Sequence, residues 1–357
     1  MTAAASQDKR LAGTVEYLVV DEYLRTMVDA RALKTAFEVR FIDLLEEHGA
    51  LSEAAALKAL KMDEQGLRFL VALLEANGVI ERRRGQIFLQ EGFCVALKYR
   101  DLLETKLDFA GALINDFADS FTALLMDPAS FMGQSRLFQL FDYRRCFEPT
   151  LENYQRTRAW MRLTSTLTRY EAAACLELHD FGAHRRMLDV GGNSGEFVLQ
   201  ACRRQPALRG TVVDLPLVCE IGLEHVLGEE EHSRIAFIKA DLRAEPLPAG
   251  YDLVSFKSML HDWPEQQALA FLTQAVRAAE PGGTVLIFER GPIAPKGVTP
   301  PFSMLPILLF FRSYRQPSVY AMHLESLGCT DVRRQDIRLD TPFHLVTART
   351  PAAGRAG

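Results

Sequence analysis

The chain has 357 residues, of which 48 % are hydrophobic and 24 % are charged, a composition typical of soluble globular proteins. Because this length exceeds that of one ordinary domain, at least two domains are predicted. The 41 basic and 46 acidic side chains give a formal net charge of −5, which offers nucleic acid no overall attraction, so no nucleic-acid partner is predicted.

The cysteine spacing and the lengths of the apolar runs bear on the cellular setting. The six cysteines show no CxxC pair, which argues against a disulfide framework or a zinc site and favours a reduced, cytoplasmic setting. The opening segment, MTAAASQDKR, lacks a basic region followed by an apolar core. No later run approaches the roughly 18 to 20 apolar residues that span a bilayer. Neither a secretory nor a membrane location is predicted, and no metal ion is expected.

Residues 1–100 are predicted to form a helical domain with a winged-helix layout. Apolar residues recur at helical spacing from about residue 14 to 48, and the pattern stops at Gly49. Ser52 and Asp63 are N-cap residues at the heads of two further helices. The segment VIERRRGQIFLQEG then contains two short strand-like runs on either side of a charged turn.

A winged-helix layout raises DNA binding as an alternative, with the Arg82–Arg84 run touching phosphate. The presumed recognition helix, GLRFLVALLEANG, is dominated by leucine and valine and carries few side chains that read base edges. A packing or dimerisation role for residues 1–100 is therefore favoured, with the arginines on a solvated turn.

The rest of the chain divides into a helical connector and an α/β domain. Residues 101–180 contain helical segments with few turn signals. In residues 181–357 short β-rich runs alternate with helical ones, among them RMLDVGG, EFVLQACRRQ, RGTVVDLP, RIAFIKADL, YDLVSFKSML and TVLIFERGP. This alternation predicts an α/β, Rossmann-like, doubly wound sheet that is mostly parallel and carries helices on both faces. Ligands of such sheets bind at the carboxyl ends of the strands.

A glycine-rich turn follows the first of these strands. The segment DVGGNSGEF fits the pattern D-x-G-x-x-x-G, with Asp189, Gly191 and Gly195. Glycine lets backbone N–H groups approach a ligand closely because no Cβ intervenes. The next two strands end near Asp214 and Asp241, where carboxylates are suited to a ribose and a nucleobase edge. Together these features predict a nucleoside site.

The run from LDVGGNSGEF through VVDLP, IAFIKADL and DLVSFKSMLHDWPEQQ to TVLIFERG resembles the class I S-adenosylmethionine-dependent methyltransferases. The resemblance is to the small-molecule O-methyltransferases related to the caffeate and acetylserotonin enzymes. It implies methyl transfer to a hydroxyl of a small aromatic secondary metabolite. The sequence does not identify this acceptor. It also implies a cytoplasmic homodimer whose winged-helix domain serves dimerisation and closes the partner's pocket.

The resemblance also implies a binding site for the donor, S-adenosylmethionine. The loop from Gly191 to Gly195 would hold its methionyl part, and the family usually has glycine where this chain has Asn193. Asparagine tolerates the left-handed backbone conformation better than most residues, so the turn is expected to survive. The other residues implied to bind the donor are Asp189, Asp214 at the ribose, Asp241 with Leu242 at the adenine, and Lys257.

The segment SMLHDWPE, residues 258–265, supplies the implied general base. Asp262 and Glu265 are interpreted as a variant capping box, with Pro264 in the first turn of the helix. His261 lies at the end of a strand and matches the family's base, and Glu289, 28 positions later, matches its acidic partner.

The chain departs from its family at position 314. Tyr314 stands where the family commonly has a second glutamate, and a tyrosine supplies no negative charge at neutral pH. Either Glu289 alone holds His261, or the pocket takes another acceptor, one whose carboxylate meets Arg312 or Arg315. The second reading admits C-methylation of an activated aromatic ring, an aromatic amino acid or an α-keto acid.

Two further points concern the pocket and the class of protein. Met161 and Ser165 have the family's M-x-x-x-S spacing on a helix implied to line the acceptor pocket, although a core role explains the methionine nearly as well. A methyltransferase-like enzyme that transfers no methyl group, such as a hydroxylase or decarboxylase, and a winged-helix regulator stay open as alternatives.

Overall fold

The computed structural model describes residues 14–294 and 299–352. The opening segment, on which the absence of a leader was predicted, lies outside these residues. The chain forms two compact units, of which one contains residues 16–137 and 295–309 and the other contains the rest. The division of roles predicted for residues 1–100, 101–180 and 181–357 stays a prediction.

The unit of residues 16–137 is mainly helical. Its helices are the 3₁₀ segments Glu16–Tyr23 and Phe302–Met304 and the α-helices α1 (Met27–Glu38), α2 (Phe41–His48), α3 (Glu53–Leu60), α4 (Glu64–Ala76), α5 (Glu91–Leu97), α6 (Arg100–Met126), α7 (Pro128–Gln134), and α13 (Leu305–Leu308); α8 (Arg136–Leu140) crosses its boundary. The predicted N-caps are confirmed, since Ser52 accepts from the N–H of Ala55 at 3.1 Å and Asp63 from that of Gly66 at 2.8 Å. The long helical pattern before Gly49 is interrupted at Arg40, whose φ of 64° ends one helix and starts the next.

The two strand-like runs after α4 pair as predicted. Strands β2 (Ile80–Arg83) and β3 (Gln86–Leu89) are antiparallel, and β1 (Leu51–Ser52) pairs with the other edge of β3. Arg84 and Gly85 have φ values of 51° and 75°, which the tight turn between the strands requires. Residues 51–89 thus place a three-stranded sheet beside short helices.

The second unit contains the predicted doubly wound sheet, which is confirmed. Seven strands lie in the order β6-β5-β4-β7-β8-β10-β9, and the first five are parallel. Strand β10 is antiparallel to both of its neighbours. The bounds are β4 Arg186–Val190, β5 Arg209–Asp214, β6 Ile235–Lys239, β7 Tyr251–Lys257, β8 Ala279–Arg290, β9 Thr330–Arg338 and β10 Pro342–Arg349. The terminal β9–β10 hairpin was not predicted.

Helices cover both faces of this sheet and bury alternate residues of its strands. They are α9 (Leu151–Leu178), α10 (Glu196–Arg204), α11 (Pro216–Val226), α12 (Glu265–Ala278), and α14 (Pro317–Ser326), with 3₁₀ segments Tyr143–Phe147, Phe181–Ala183, Glu230–Arg234 and Leu260–Asp262. Met187 packs into the core on one face and the next residue, Leu188, into the core on the other. None of the helices in the described part of the chain has the length and apolar character needed to cross a membrane.

Candidate active site

The loop between β4 and α10 is held in a tight turn by three left-handed residues. Gly191, Asn193 and Gly195 have φ values of 66°, 54° and 76°. The prediction that an asparagine at position 193 preserves the turn is therefore confirmed. A Cβ at Gly191 would lie 2.5 Å from the Cγ of Met259, so the space as well as the backbone conformation requires glycine there.

Two aspartates lie beneath this loop. Asp189 is buried, and the hydroxyl of Ser255 donates to its Oδ1 at 2.6 Å, whereas its Oδ2 has no hydrogen-bond partner among the described residues. Burial raises the pKa of Asp189 to about 7. The oxygens of Asp214 accept from the N–H groups of Asn193 and Leu215, each at 2.8 Å. Burial nevertheless raises the pKa of Asp214 to about 6.

Asp189, Asp214 and Asp262 form a group of like charges at the strand ends, called here the acidic group. Burial is the largest cause of the raised pKa values of Asp189 and Asp214. In addition, the charge of Asp214 raises the pKa of Asp189, and the charge of Asp262 raises the pKa of Asp214. Buried carboxylates that repel one another are stabilised when a cation lies among them. The acidic group therefore favours a positively charged ligand.

Asp241 and Leu242 are placed differently from the acidic group. Both oxygens of Asp241 pair with the guanidinium of Arg243, through Nε and an Nη at 2.8 Å each, and this pairing lowers the pKa of Asp241. The same guanidinium lies 5.9 Å from the centre of the Trp263 ring. Leu242 is buried in the core beside the sheet. Asp241 would accept a hydrogen bond from the amino group of a nucleobase through a lone pair that Arg243 does not occupy.

Lys257 is held by a residue that the sequence did not reveal. Its ammonium donates to the hydroxyl of Thr168 at 3.0 Å and to Oε2 of Glu171 at 2.5 Å. The other carboxylate oxygen of Glu171 accepts from Arg290. Glu171 lies on α9, 86 positions from Lys257, and one acidic residue in a long helix carries no signal that it faces the sheet.

His261 and Glu289 are brought together as predicted. The Nδ1 of His261 lies 2.7 Å from Oε1 of Glu289, which is fully buried. The backbone N–H groups of Leu260 and Arg290 donate to this carboxylate at 3.0 and 2.9 Å. Burial raises the pKa of Glu289, but His261 and these hydrogen bonds outweigh it and lower the pKa below its ordinary range. The carboxylate is thus ionised and fixed on Nδ1.

The capping box interpretation of Asp262 is wrong. Helix α12 begins at Glu265 with Pro264 as its N-cap, and no side chain caps it. The extended backbone at Pro264, with ψ of 148°, carries Asp262 away from the helix start and into a 3₁₀ turn. There Oδ2 of Asp262 accepts from the hydroxyl of Tyr143 at 2.6 Å, and Oδ1 lies 3.4 Å from Nε2 of His261.

His261 therefore has a carboxylate near each ring nitrogen. Burial lowers its pKa, but the charges of Glu289 and Asp262 outweigh burial and raise the pKa above its ordinary value near 6.5. Burial raises the pKa of Asp262 itself, although His261 and Tyr143 partly offset this shift. Tyr314 is not a third charge, because its own pKa is raised by burial and its phenol stays neutral.

Aromatic side chains surround the imidazole. The rings of Tyr314 and Phe310 lie 5.1 and 6.0 Å from that of His261, centre to centre. Tyr143 stacks on Trp263 at 6.2 Å. Tyr143 was not predicted from the sequence, since it lies 119 positions from its partner Asp262 in a stretch without a motif. These rings give the site an apolar wall suited to a flat ligand.

The two candidate arginines have different surroundings. Arg315 donates to the carbonyl of Leu260 at 2.9 Å and also to that of Trp263, so it fastens the loop that carries His261. Arg312 is exposed, and its guanidinium lies 4.3 Å from the centre of the Phe311 ring. Arg315 thus donates to the loop through both terminal nitrogens, and Arg312 is the more exposed of the two arginines.

Met161 and Ser165 lie on the face of α9 that meets the glycine-rich loop. The Oγ of Ser165 lies 2.6 Å from the carbonyl oxygen of Met161 and 2.6 Å from the Oγ of Ser194. Met161 is buried in a small core cluster with Trp160. Ser165 thus contacts the glycine-rich loop directly.

Comparison with known proteins identifies the family. Residues 124–301 match a family profile described as the O-methyltransferase domain. The chain belongs to the O-methyltransferase family.

Two relatives of this O-methyltransferase family member match it in sequence over part of their length. It is 43 % identical over 125 residues to the 3-hydroxy-5-methyl-1-naphthoate 3-O-methyltransferase of Streptomyces sahachiroi, a stretch that covers 35 % of each chain. It is 35 % identical over 136 residues to the aclacinomycin 10-hydroxylase RdmB of Streptomyces purpurascens, covering 38 % of this chain and 36 % of the relative. The matched stretches thus span about a third of the length of these relatives.

A solved structure agrees with the fold of this family member over most of its length. Human N-acetylserotonin methyltransferase in complex with SAM superposes with a TM-score of 0.71 over 99 % of this chain and 98 % of that chain. The two sequences are 20 % identical, so the likeness concerns the fold. The predicted fold class is confirmed by this superposition as well as by the strand order.

Proposed function

We propose that the protein transfers the methyl group of S-adenosylmethionine to a hydroxyl of a small aromatic secondary metabolite. The observation that carries this proposal is the His261–Glu289 pair, whose 2.7 Å contact lies at the carboxyl ends of the strands. The name of the naphthoate 3-O-methyltransferase relative supports an aromatic hydroxyl as the acceptor.

The residues present fit the donor. The glycine-rich turn forms a cradle whose space a Cβ at Gly191 would fill. The Oδ2 of Asp189 has no hydrogen-bond partner among the described residues, so it can accept a hydrogen bond from the ligand. When bound, S-adenosylmethionine supplies an electrophilic methyl group. The residues that would hold it are Asp189, Gly191, Asp214, Asp241, Leu242 and Lys257.

His261 is suited to act as the general base. Because Glu289 is ionised, Nδ1 of His261 carries the proton that the carboxylate accepts, and Nε2 is left to take the proton of the acceptor hydroxyl. A phenol pKa of about 10 and an imidazole pKa of about 6.5 differ by roughly 3.5 units, or about 5 kcal/mol. The raised pKa of His261 narrows this gap, since Glu289 and Asp262 stabilise the imidazolium.

The surroundings of His261 suit an aromatic acceptor. Phe310 and Tyr314 contact the imidazole ring, and Met161 with Ser165 supports the loop on the donor side. Apolar rings exclude water from the reacting atoms and orient a flat acceptor by stacking. In this proposal the neutral Tyr314 contributes packing against the base, whereas Asp262 supplies the second negative charge.

Radiolabelled donor and a panel of hydroxylated aromatic compounds test the proposal. Wild type is expected to label at least one hydroxyl, and His261→Ala is expected to lower the rate by about 10²- to 10⁴-fold. Calorimetry is expected to show that His261→Ala still binds the donor, which separates loss of the base from loss of the site. Equal labelling by the two proteins would contradict the role of His261, and no donor binding by wild type would contradict the methyltransferase assignment.

A second candidate is a hydroxylase of the same fold, because one of the two relatives reported above carries that name.

C-methylation is a variant of the first candidate in which the carboxylate of the acceptor meets Arg312, the more exposed of the two arginines. Mass spectrometry of the product separates an added oxygen from an added methyl group, and fragmentation assigns the methyl group to oxygen or carbon.

A further inference from the structure

A buried set of alternating charges lies beside the catalytic pair and has no part in the mechanism above. We call Glu171, Lys257, Arg290 and Asp340 the Glu171 network. Glu171 pairs with Lys257 at 2.5 Å and with Arg290, and Arg290 also pairs with Asp340 at 3.0 Å. All four side chains are less than a tenth exposed. A buried charge that loses its partner is strongly unfavourable, so these charges depend on one another.

Glu171 is the shared anion of this network. It lies on α9, whereas Lys257 ends β7 and Arg290 ends β8. Lys257 precedes His261 by four positions, and Arg290 directly follows Glu289. One carboxylate on α9 therefore balances the cations next to the donor site and next to the base.

The charge of Lys257 acts on the acidic group. Burial raises the pKa of Asp189, and the hydrogen bond from Ser255 lowers it. The positive charge of Lys257 is the next largest influence and also lowers this pKa. A cation this close to Asp189 competes with a positively charged ligand for the same carboxylate. Its pairing with Glu171 at 2.5 Å places a negative charge beside it and so reduces that competition.

We propose that Glu171 is a positioning residue that neutralises Lys257 and thereby sets the preference of the site for the charged donor over the uncharged product. This inference rests on the proposed function, because it assumes that S-adenosylmethionine and S-adenosylhomocysteine bind at this site. The two ligands differ at the sulfur, which is a cationic sulfonium only in the donor. The ratio of their affinities therefore reports the charge of the site.

Calorimetric binding of the two ligands to wild type and Glu171→Gln tests the proposal. The variant keeps the shape of the side chain but leaves Lys257 and Arg290 with one negative charge fewer. It is expected to lose about tenfold more affinity for S-adenosylmethionine than for S-adenosylhomocysteine. Glu177→Gln is the matched control, since Glu177 lies on the same helix, pairs with Arg204 at 2.7 Å, and is expected to leave the ratio unchanged.

Two further variants separate charge from damage to the fold. Lys257→Gln removes the opposite charge and is expected to shift the ratio in favour of S-adenosylmethionine, whereas general damage to the fold weakens the binding of both ligands without this opposite shift. Glu171→Asp keeps the charge and is expected to retain most of the wild-type ratio. If Glu171→Gln does not fold, the sign of the Lys257→Gln shift decides.

The possible failures are distinguishable. If wild type binds both ligands and Glu171→Gln weakens both equally, or if Lys257→Gln lowers the preference for the donor, the role of Glu171 is overturned and the proposed function stands. If wild type binds neither ligand, the donor assignment fails and the inference fails with it.

Discussion

At the scale of single residues, the environment of His261 differs from what the sequence suggested. Tyr314 stands where the family commonly has a glutamate, which left Glu289 as the single expected carboxylate. Asp262 lies 3.4 Å from Nε2 and supplies a second one, because its backbone turns away from the helix that it was expected to cap. The imidazolium that forms on proton uptake is thus flanked by two negative charges.

The pH dependence of turnover follows from this arrangement. His261 acts as a base when neutral, and Glu289 and Asp262 outweigh burial and raise its pKa above 6.5. We expect kcat to rise with pH through an inflection above 6.5. Glu289→Gln removes one of the two charges, so its inflection should lie at lower pH and its kcat should fall about tenfold or more. An inflection that does not move would show that Glu289 does not act on His261.

Donor binding should be linked to proton release. Burial raises the pKa values of Asp189 and Asp214 to about 7 and about 6, so both are partly protonated near pH 6. A cationic donor favours their ionised forms, and its affinity should therefore increase as the pH rises through this range. Calorimetry near pH 6 in buffers of different ionisation enthalpy should reveal the released protons, and release should vanish above about pH 8. Asp189→Asn should abolish part of the release; heats independent of buffer near pH 6 would contradict the linkage.

At the scale of elements, the loop between β7 and α12 determines where His261 lies. This loop has no regular hydrogen-bond ladder, and Arg315 fastens it through the carbonyls of Leu260 and Trp263. The loop is also tied to β8 by the N–H of Leu260, which donates to Glu289. His261 is thus positioned by the side chains of Glu289 on β8 and of Arg315.

Removal of Arg315 tests this fastening. Arg315→Ala removes the side-chain donor to two backbone carbonyls, of which that of Leu260 keeps the N–H of Trp263. We expect the free energy of unfolding to fall by about 1 to 3 kcal/mol. Amide exchange in residues 260–263 should become faster. Arg277→Ala is the matched control for stability, because Arg277 is exposed and its loss should change the free energy of unfolding by less than about 0.5 kcal/mol. Equal destabilisation by both substitutions would argue against a specific role for Arg315.

At the scale of the whole molecule, the role of residues 1–100 stays a prediction. Two arginines of the turn that would touch phosphate under the DNA-binding alternative are in ion pairs, Arg82 with Glu75 and Arg83 with Glu81, each at 2.5 Å. Phe69, on the helix that would read bases under the same alternative, is 69 % exposed and apolar. These features favour protein contact over phosphate contact. Tight, salt-dependent binding to DNA would reverse this interpretation.

Sedimentation velocity tests the predicted homodimer. Wild type is expected to be dimeric, and Phe69→Asp should shift it toward monomer, because a buried unpaired charge at an interface is costly. Met126→Asp is the matched control, since Met126 is 81 % exposed but lies outside residues 1–100. Dissociation by Met126→Asp alone would place the interface in the helical connector.

Much of the fold could be predicted because its signals are local. The parallel strands β4 to β8 appeared as short apolar runs, and Asp214 was placed correctly at the end of β5. The β9–β10 hairpin was missed because β9, an edge strand with the sequence TDVRRQDIR, is mostly exposed and carries little apolar signal. Asp262 was misassigned because its spacing to Glu265 satisfies a capping pattern that the extended backbone between them breaks.

The sequence by itself determined the sheet and the glycine-rich turn, since periodicity and motif spacing are properties of neighbouring residues. The pairing of His261 with Glu289 followed from the family resemblance. Only the tertiary structure decided which charges balance one another. Glu171 meets Lys257 across 86 positions, and Tyr143 meets Asp262 across 119. Contacts between such distant residues form when helices pack on the sheet, because burial then forces each charge or hydroxyl to find a partner that no local pattern specifies.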